Sequence, residues 1–147
     1  MKLVLCSSVA FYEHVCKIAD ELQATGNYSI VIPKSARAMR EAKDFTVNKT
    51  WFDNPDDYDK KADFMRTHFD EISAGDAILV VNDEKHGKAN YIGANVLLEM
   101  SLAWYQHKPI YLLNDIPTDS PFEEEIKGMM PISLKGTLTK LEDYARN

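Results

Sequence analysis

Short runs of apolar residues alternate along this chain with longer segments in which apolar residues recur every three or four positions. The short runs predict β-strands at residues 2–6, 28–32, 77–81, 110–113 and 132–134. The longer segments predict helices at residues 10–24, 56–74, 94–107, 122–128 and 137–145. The first strand, helix and strand predict a right-handed βαβ crossover with parallel strands. We therefore expect one α/β domain, with a five-stranded, mostly parallel sheet flanked by helices.

The third predicted strand indicates where a ligand would bind. Residues 77–81 are all apolar, as in a strand covered on both faces, and Asn82 and Asp83 follow directly. In open parallel sheets the ligand crevice lies at the carboxyl ends of the strands. We therefore expect Asn82, Asp83, the loop as far as Gly93 and the first turns of the next helix to line a pocket.

One carboxylate, Glu99, lies inside the otherwise apolar helix at residues 94–107. It is near the amino-terminal half of that helix and so close to the expected pocket. A Glu early in a helix also stabilises the helix dipole, by about 0.3–1 kcal/mol, without any chemistry. The residues alone favour this structural role for Glu99. The side chains expected to face the sheet are Leu97, Leu98, Leu102 and Ala103.

Other polar residues near this edge are candidates for ligand contact, each with a structural alternative. Ser7 follows the first strand, where a phosphate or sugar could approach, although a Ser before a helix commonly caps it. Lys85 could hold a phosphate or could be only solvated. Gly93 lies between Tyr91 and Asn95 and allows a ligand to approach the backbone closely, whereas Asn95 could instead cap the helix.

The segment at residues 34–55 has no clear period and is long for a simple connection. It is therefore a candidate lid over the pocket. Its aromatic residues Trp51 and Phe52 could stack on a nucleobase, or they could close the edge of the core. The sequence supports both interpretations equally.

Residues 76–115 combine an Asp before an apolar strand, a polar loop, and a helix in which Glu99 precedes residues 100–103. This segment resembles the nucleoside 2-deoxyribosyltransferase superfamily, and the likeness begins at the first strand. The resemblance implies a flavodoxin-like or Rossmann-like three-layer fold. It also implies a Glu that attacks the anomeric carbon of a deoxyribosyl group, giving a covalent glycosyl-enzyme that passes the sugar to another base or to water. Glu99 is then the expected nucleophile, and a homo-oligomer is the expected assembly.

The chain departs from this family pattern at two positions. Family members usually place Asp or Ser six residues before the Glu, where this chain has Gly93. The transferases also carry an Asp eight residues before the strand-opening Asp, and counting back from Asp76 gives His68. His68 is therefore a candidate site residue, although a histidine beside an apolar helix stripe is more often packed or on the surface. Asp70 lies about half a turn further round the helix and is a poor substitute.

The composition of the chain limits the classes of function that we expect for it. The 147-residue chain fits one domain, and its formal charge of −6 argues against a nucleic-acid partner. Cys6 and Cys16 lie among apolar neighbours, as reduced structural cysteines do, so neither is expected to be catalytic. The spacing of Cys and His predicts no metal site, and no motif predicts a cofactor. Without a signal peptide or a membrane-length apolar run, the sequence predicts a cytoplasmic protein with no membrane partner.

Together these features predict an enzyme that cleaves or transfers the N-glycosidic bond of a small-molecule nucleoside or nucleotide. Glu99 is the expected nucleophile, and a neighbouring acid, either His68 or Asp83, or an ordered water is expected to protonate the departing base. Ser7, Asn82, Lys85, Tyr91, Gly93 and Asn95 are the expected substrate-binding residues. The alternative is a non-catalytic domain that binds a nucleotide or a nucleotide-derived ligand, which Gly93 and His68 favour.

Overall fold

The computed structural model describes residues 1–146 of the chain. Its five strands form one sheet in the order β2-β1-β3-β4-β5, and every neighbouring pair is parallel. The strands are β1 Lys2–Cys6, β2 Ser29–Val31, β3 Ala77–Val80, β4 Ile110–Leu112 and β5 Ile132–Ser133. The helices are α1 Tyr12–Ala24, α2 Lys34–Ala42, α3 Tyr58–Ala74, α4 Ala94–Tyr105, α5 Glu123–Gly128 and α6 Lys140–Ala145. The expected flavodoxin-like or Rossmann-like α/β architecture is confirmed, and the sheet is parallel throughout.

The core has two layers because successive side chains of a strand point to opposite faces of the sheet. Leu3 and Leu5 of β1 pack with α1, α2 and α6, whereas Val4 and Cys6 pack with α3, α4 and α5. β3 is buried along its whole length, as its continuous apolar run predicts. The side chain of Cys6 therefore lies in the same layer as α3 and α4.

The register of the sheet brings the strand ends together. Cys6 at the end of β1 pairs with Val80 at the end of β3, and Val80 pairs in turn with Leu112 of β4. The residues that follow these strands therefore emerge along one edge. This edge is the position at which parallel sheets of this kind bind their ligands.

The segment at residues 34–55 contains a helix, α2, that the sequence pattern does not reveal. Only Ala36 of α2 is buried, and Met39 packs partly against the core. One small and one medium apolar residue are too few to give a clear period. Lys43 ends the helix in a left-handed conformation at φ 55°, and the chain then makes two 3₁₀ turns, Thr50–Phe52 and Pro55–Asp57.

The buried face of α4 differs from the expected one. Leu98 is 48% exposed, so the prediction that it faces the sheet is wrong. The fully buried positions are spaced by three and four residues and include the carboxylate: Val96, Glu99, Met100 and Ala103. The apolar stretch of α4 gives little indication of which face is inside, because apolar residues occur on both faces. None of the helices in residues 1–146 combines the length and the hydropathy that a membrane crossing requires.

Candidate functional site

A cavity of about 460 Å³ lies at the carboxyl edge of the sheet. Its lining comes from the end of β1, from α2 and the turn at Thr50–Phe52, from α3, and from the loop that leads into α4. We call it the Glu99 cavity, after the only Asp or Glu among its lining residues in the described chain. A second hollow, beside β2 and α2, is more open to solvent and is lined by Arg37, Arg40 and Glu41.

Glu99 is held at the wall of this cavity with only 4% of its surface exposed. Its Oε1 accepts a hydrogen bond of 3.0 Å from Asn95 Nδ2, one turn earlier on α4. Its Oε2 is buried and accepts no hydrogen bond from residues 1–146. Burial raises the pKa of the Glu99 carboxyl, although the charge of His68, the neighbouring Cys6 thiol and the charge of Lys61 act in the opposite direction. The result is a desolvated carboxyl group, one oxygen of which has no hydrogen-bond partner in residues 1–146.

His68 and Cys6 lie against the free oxygen of Glu99. His68 Nε2 is 3.9 Å from Glu99 Oε2 and 3.5 Å from Cys6 Sγ. The other ring nitrogen, Nδ1, is 3.1 Å from Oε2 of Glu71, and Arg37 donates to Oε1 of the same carboxylate at 2.7 Å. Burial, reinforced by the nearby Glu99, raises the pKa of the Cys6 thiol well above its usual range. Within the described chain, four polar side chains thus contact one another in succession: Arg37, Glu71, His68 and Cys6.

The hydrogen bonds that Glu71 accepts from His68 and Arg37 also determine whether its carboxyl group is charged. Burial alone would raise the pKa of its carboxyl, but the hydrogen bonds from His68 and Arg37 lower it overall. Glu71 therefore remains a carboxylate that accepts from both neighbours. An ionised Glu71 favours the His68 tautomer with hydrogen on Nδ1 and leaves Nε2 facing Cys6 and Glu99.

Three lysines give the cavity a positive lining. Lys61 Nζ donates to Asn95 Oδ1 at 3.3 Å and lies 5.8 Å from the centre of the Trp51 ring. Lys85 Nζ donates to the Ser8 hydroxyl at 3.0 Å and lies over the Tyr91 ring. Burial, together with the charge of Lys49, lowers the pKa values of Lys61 and Lys85. We refer to Lys49, Lys61 and Lys85 as the cavity lysines.

The cavity lysines differ in their pairing from a fourth lysine in the lining. Lys34 forms an ion pair of 2.9 Å with Asp63. None of the three cavity lysines forms an ion pair with a carboxylate in residues 1–146. Lys61 and Lys85 are half-buried, and ammonium groups that partly lose water and have no anionic partner favour an anionic ligand.

The expected site residues divide into two groups. Most of them line the Glu99 cavity: Ser7, His68, Lys85, Tyr91, Gly93, Asn95 and Glu99. Ser7 lines it with its hydroxyl turned to the carbonyl of Ser8, to which it donates at 2.8 Å. Asn82 and Asp83 are not among the lining residues.

Asn82 and Asp83 have structural partners instead. The buried Asn82 amide donates to the carbonyl of Asp115 and accepts from the backbone N–H of Asn114, both at 2.9 Å. It therefore links the end of β3 to the end of β4. Asp83 Oδ2 lies 2.6 Å from His14 Nδ1 in an exposed pair outside the cavity. Polar residues after a buried strand can thus hold neighbouring strands together rather than reach a ligand.

The structure gives a steric reason for the presence of glycine at position 93, which the sequence alone does not show. A Cβ atom at this position would lie 3.1 Å from the hydroxyl of Tyr91. Gly93 also precedes the first residue of α4 with an extended backbone. An Asp or Ser here would crowd Tyr91, so the departure from the resembled family is coupled to the position of this ring.

Several residues in or beside the cavity were not predicted. Cys6 was expected to be only a structural strand residue; it is not in the lining but lies next to His68 and Glu99, which are. The sequence pattern singles out neither Lys49 nor Lys61. Trp51, for which both interpretations were open, lines the cavity, whereas the neighbouring Phe52 is 69% exposed. The contributing elements are far apart in the chain, so no local spacing shows that these residues meet. Only the parallel register of β1 and β3 could have placed Cys6 near the predicted pocket.

A scan against protein-family models matches none of them, and a search of curated proteins finds no significantly similar sequence.

Proposed function

We propose that this protein cleaves or transfers the N-glycosidic bond of a nucleoside or nucleotide, with Glu99 as the nucleophile. The observation that carries the proposal is the pairing of Glu99, which lines the cavity: Asn95 binds one carboxylate oxygen, and the other has no hydrogen bond from residues 1–146. The proposal also rests on the resemblance of residues 76–115 to the nucleoside 2-deoxyribosyltransferase superfamily. The proposed function predicts double-displacement chemistry, in which two successive substitutions occur at the anomeric carbon of the sugar.

In the first step, Glu99 Oε2 attacks the anomeric carbon and forms an ester bond to the sugar. The bond between that carbon and the base breaks, and its electron pair leaves with the base, which takes up a proton. In the second step, another base or water attacks the same carbon, and Glu99 leaves as a carboxylate. A covalent intermediate divides one difficult displacement into two easier ones.

The surroundings of Glu99 favour this role in two ways. Asn95 Nδ2 fixes Oε1 at 3.0 Å, which orients the carboxylate for attack by Oε2. Burial removes the water that would otherwise solvate the nucleophile. Because burial also raises the pKa of Glu99, the ionised and reactive fraction of the enzyme increases as the pH rises through that pKa.

The cavity lysines favour a nucleotide over an unphosphorylated nucleoside. A phosphate would supply the anionic partner that Lys49, Lys61 and Lys85 do not have in residues 1–146. Trp51 and Tyr91 line the same cavity and present ring surface on which a base can stack. We therefore propose a nucleoside monophosphate as the substrate class.

The surroundings of His68 and Asp83 favour another side chain, or water, as the proton source for the departing base. Asp83 lies outside the cavity lining, and both ring nitrogens of His68 face protein groups: Glu71 on one side, Cys6 and Glu99 on the other. Lys61 and Lys85 line the cavity, and burial lowers their pKa values, which makes each a stronger acid. We propose that one of these lysines, or water, protonates the base.

A non-catalytic nucleotide-binding domain is the second candidate function. The observation that favours it is the cavity lining, in which Glu99 is the only carboxylate within residues 1–146. A second carboxylic acid usually assists the departing group in glycosidic chemistry. A domain with only the lysines and aromatic rings could bind a nucleotide without turning it over.

One experiment separates the two functions. The wild type, Glu99→Gln and the exposed control Glu13→Gln are incubated with nucleosides and nucleoside monophosphates, with and without a second free base. Free base and base exchange are measured by chromatography, and thermal stability is measured with each compound. Base release or exchange by wild type and Glu13→Gln, but not by Glu99→Gln, would support the enzyme. Turnover that persists in Glu99→Gln would exclude Glu99 as the nucleophile. Stabilisation by a nucleotide without any product would support the binding domain.

A further inference from the structure

Three buried side chains of metal-binding type meet beside the Glu99 cavity, and two of them, His68 and Glu99, are among its lining residues. Cys6, His68 and Glu99 come from β1, α3 and α4, and each is at most 4% exposed. One potential ligand atom from each, Sγ, Nε2 and a carboxylate oxygen, lies within 4.8 Å of the other two. The sequence predicts no metal site because 62 and 31 residues separate these positions, far from any local ligand spacing.

The distances suit a tetrahedral zinc ion. Zinc lies about 2.3 Å from a thiolate sulfur and about 2.0–2.1 Å from a nitrogen or carboxylate oxygen. Tetrahedral angles then separate sulfur from nitrogen by about 3.5 Å, and nitrogen from oxygen by about 3.4 Å. Cys6 Sγ and His68 Nε2 are 3.5 Å apart, and His68 Nε2 and Glu99 Oε2 are 3.9 Å apart. The distance from Cys6 Sγ to the carboxylate oxygen is at most 4.8 Å, so completion of the three-ligand set requires the Glu99 carboxylate to shift towards the other two ligand atoms.

The neighbours of the three residues have the form expected around a metal. A histidine that binds zinc through one ring nitrogen almost always donates the other N–H to a carboxylate, a carbonyl or water. His68 Nδ1 lies 3.1 Å from Glu71 Oε2, and Arg37 holds that carboxylate at 2.7 Å. Asn95 binds Oε1 of Glu99 and leaves Oε2 as the ligand atom. The outer hydrogen bonds therefore orient both His68 and Glu99 towards one point.

The unpartnered oxygen of Glu99 is the independent indication of a ligand. Buried polar atoms in native proteins nearly always have a hydrogen-bond partner, a bound water or an ion. Glu99 Oε2 is buried without a hydrogen bond from residues 1–146, and it lies at the thiol and imidazole that would share the ion. A thiolate, an imidazole and a carboxylate form a donor set that suits zinc better than magnesium or calcium.

We propose that Cys6, His68 and Glu99 bind a zinc ion, whose fourth coordination position is open to the Glu99 cavity. Binding displaces the Cys6 thiol proton to solvent, and the protonated fraction of Glu99 also loses its proton. Three protein ligands with an open position are typical of a reactive rather than a structural zinc site. Where the proposed glycosidic function holds, zinc also occupies the oxygen that attacks the sugar and so inhibits turnover.

Zinc alone is the probe that tests this site, without any nucleotide. Chain that carries no histidine tag is treated with a chelator, and its zinc affinity is measured by competition with a chromogenic chelator. Cobalt replaces zinc in a parallel titration, because a thiolate ligand gives an intense near-ultraviolet charge-transfer band. We expect one equivalent of zinc per chain and a thiolate–cobalt band in the wild type.

Variants locate the metal. Cys6→Ser and His68→Gln should weaken zinc binding at least about 100-fold, and Glu71→Gln about 10- to 100-fold through the orientation of His68. Cys16→Ser and His14→Gln serve as matched controls and should bind as the wild type does. Circular dichroism establishes that each variant is folded. Wild-type chain offers a second measurement, since zinc should protect Cys6 but not Cys16 from alkylation as mapped by peptide mass.

The outcomes of these measurements decide for or against the zinc site without an activity assay. Loss of the cobalt band in Cys6→Ser, or zinc protection confined to Cys6, would support the site. Zinc binding that Cys6→Ser and His68→Gln leave unchanged, or a wild type that gives no thiolate–cobalt band, would overturn it. Because these readouts need no substrate, failure of the zinc site and failure of the glycosidic function are distinguishable.

Discussion

Asn95 Nδ2 donates a 3.0 Å hydrogen bond to Glu99 Oε1, and the two residues lie one turn apart on α4. The spacing of four residues places both side chains on one face of the helix. Asn95 also accepts a hydrogen bond from Lys61 at 3.3 Å, so it connects the buried carboxylate to the positive lining of the cavity. The Asn95 amide thus determines which oxygen of Glu99 remains without a hydrogen bond from residues 1–146.

The first prediction concerns this amide. Asn95→Ala should lower kcat by about 10- to 100-fold with a smaller change in KM, because it removes the group that orients the nucleophile. Steady-state kinetics on the nucleotide with the highest turnover is the measurement. Ser101→Ala, on the exposed face of α4, is the control and should not differ from the wild type. An unchanged kcat in Asn95→Ala would exclude this positioning role.

The second prediction concerns the dependence of stability on pH. Burial raises the pKa of Glu99 in the folded chain, so folding favours the protonated carboxyl. This contribution to stability is fully present below the unfolded pKa of about 4.3 and is lost as the pH rises through the folded pKa. Glu99→Gln cannot ionise there. It should therefore become increasingly more stable than the wild type as the pH increases, until the difference levels off.

Urea unfolding of metal-free protein at a series of pH values measures this difference. Glu13→Gln, which is exposed on α1, is the control for loss of one carboxylate. A stability difference between Glu99→Gln and the wild type that decreases with pH would mean that folding favours the ionised Glu99.

The third prediction concerns the phosphate. Lys85→Ala should weaken the binding of nucleoside monophosphates by about 10-fold or more, because it removes a partly buried ammonium group from the cavity. The binding of the matching unphosphorylated nucleosides should change much less. Lys88→Ala, an exposed lysine of the same loop, is the control. Equal losses for nucleotides and nucleosides in Lys85→Ala would mean that this lysine does not bind the phosphate.

The fourth prediction concerns Asn82, which holds the ends of β3 and β4 together. Asn82→Ala leaves the Asp115 carbonyl and the Asn114 N–H without this partner and should lower the free energy of unfolding by about 2–4 kcal/mol. Asp83→Ala removes only an exposed pair with His14 and should change it by less than about 1 kcal/mol. Chemical denaturation measures both. Equal effects of the two substitutions would contradict the structural role of Asn82.

The strands and the parallel sheet could be predicted because buried strands are short, wholly apolar runs, and strands that alternate with helices favour parallel pairing. The carboxyl edge of β3 was also a sound place to expect a cavity, and Glu99, Asn95 and Lys85 line it. α2 was not predicted because its buried face consists of little more than Ala36. Local sequence contains too little apolar signal for such a helix.

The roles of individual polar residues could not be predicted, because they depend on partners from distant parts of the chain. Asn82 and Asp83 follow β3 as a ligand-binding pair would, yet one bonds to the backbone after β4 and the other to His14. Cys6 became a neighbour of His68 and Glu99 only through the packing of β1 beneath α3 and α4. The function as a glycosidic enzyme and the assembly into a homo-oligomer stay predictions.

The most direct test of Glu99 as the nucleophile is the intact mass of the protein after reaction with a slow substrate. A nucleoside monophosphate with fluorine at the 2-position of the sugar would slow both steps, because the electron-withdrawing group destabilises a transition state with positive charge on the sugar. The proposal predicts that wild-type chain gains the mass of the fluorinated sugar phosphate, on the peptide that contains Glu99, as free base is released. Glu99→Gln should gain none. Base release by the wild type without a covalent adduct, or an adduct that persists in Glu99→Gln, would contradict the proposal.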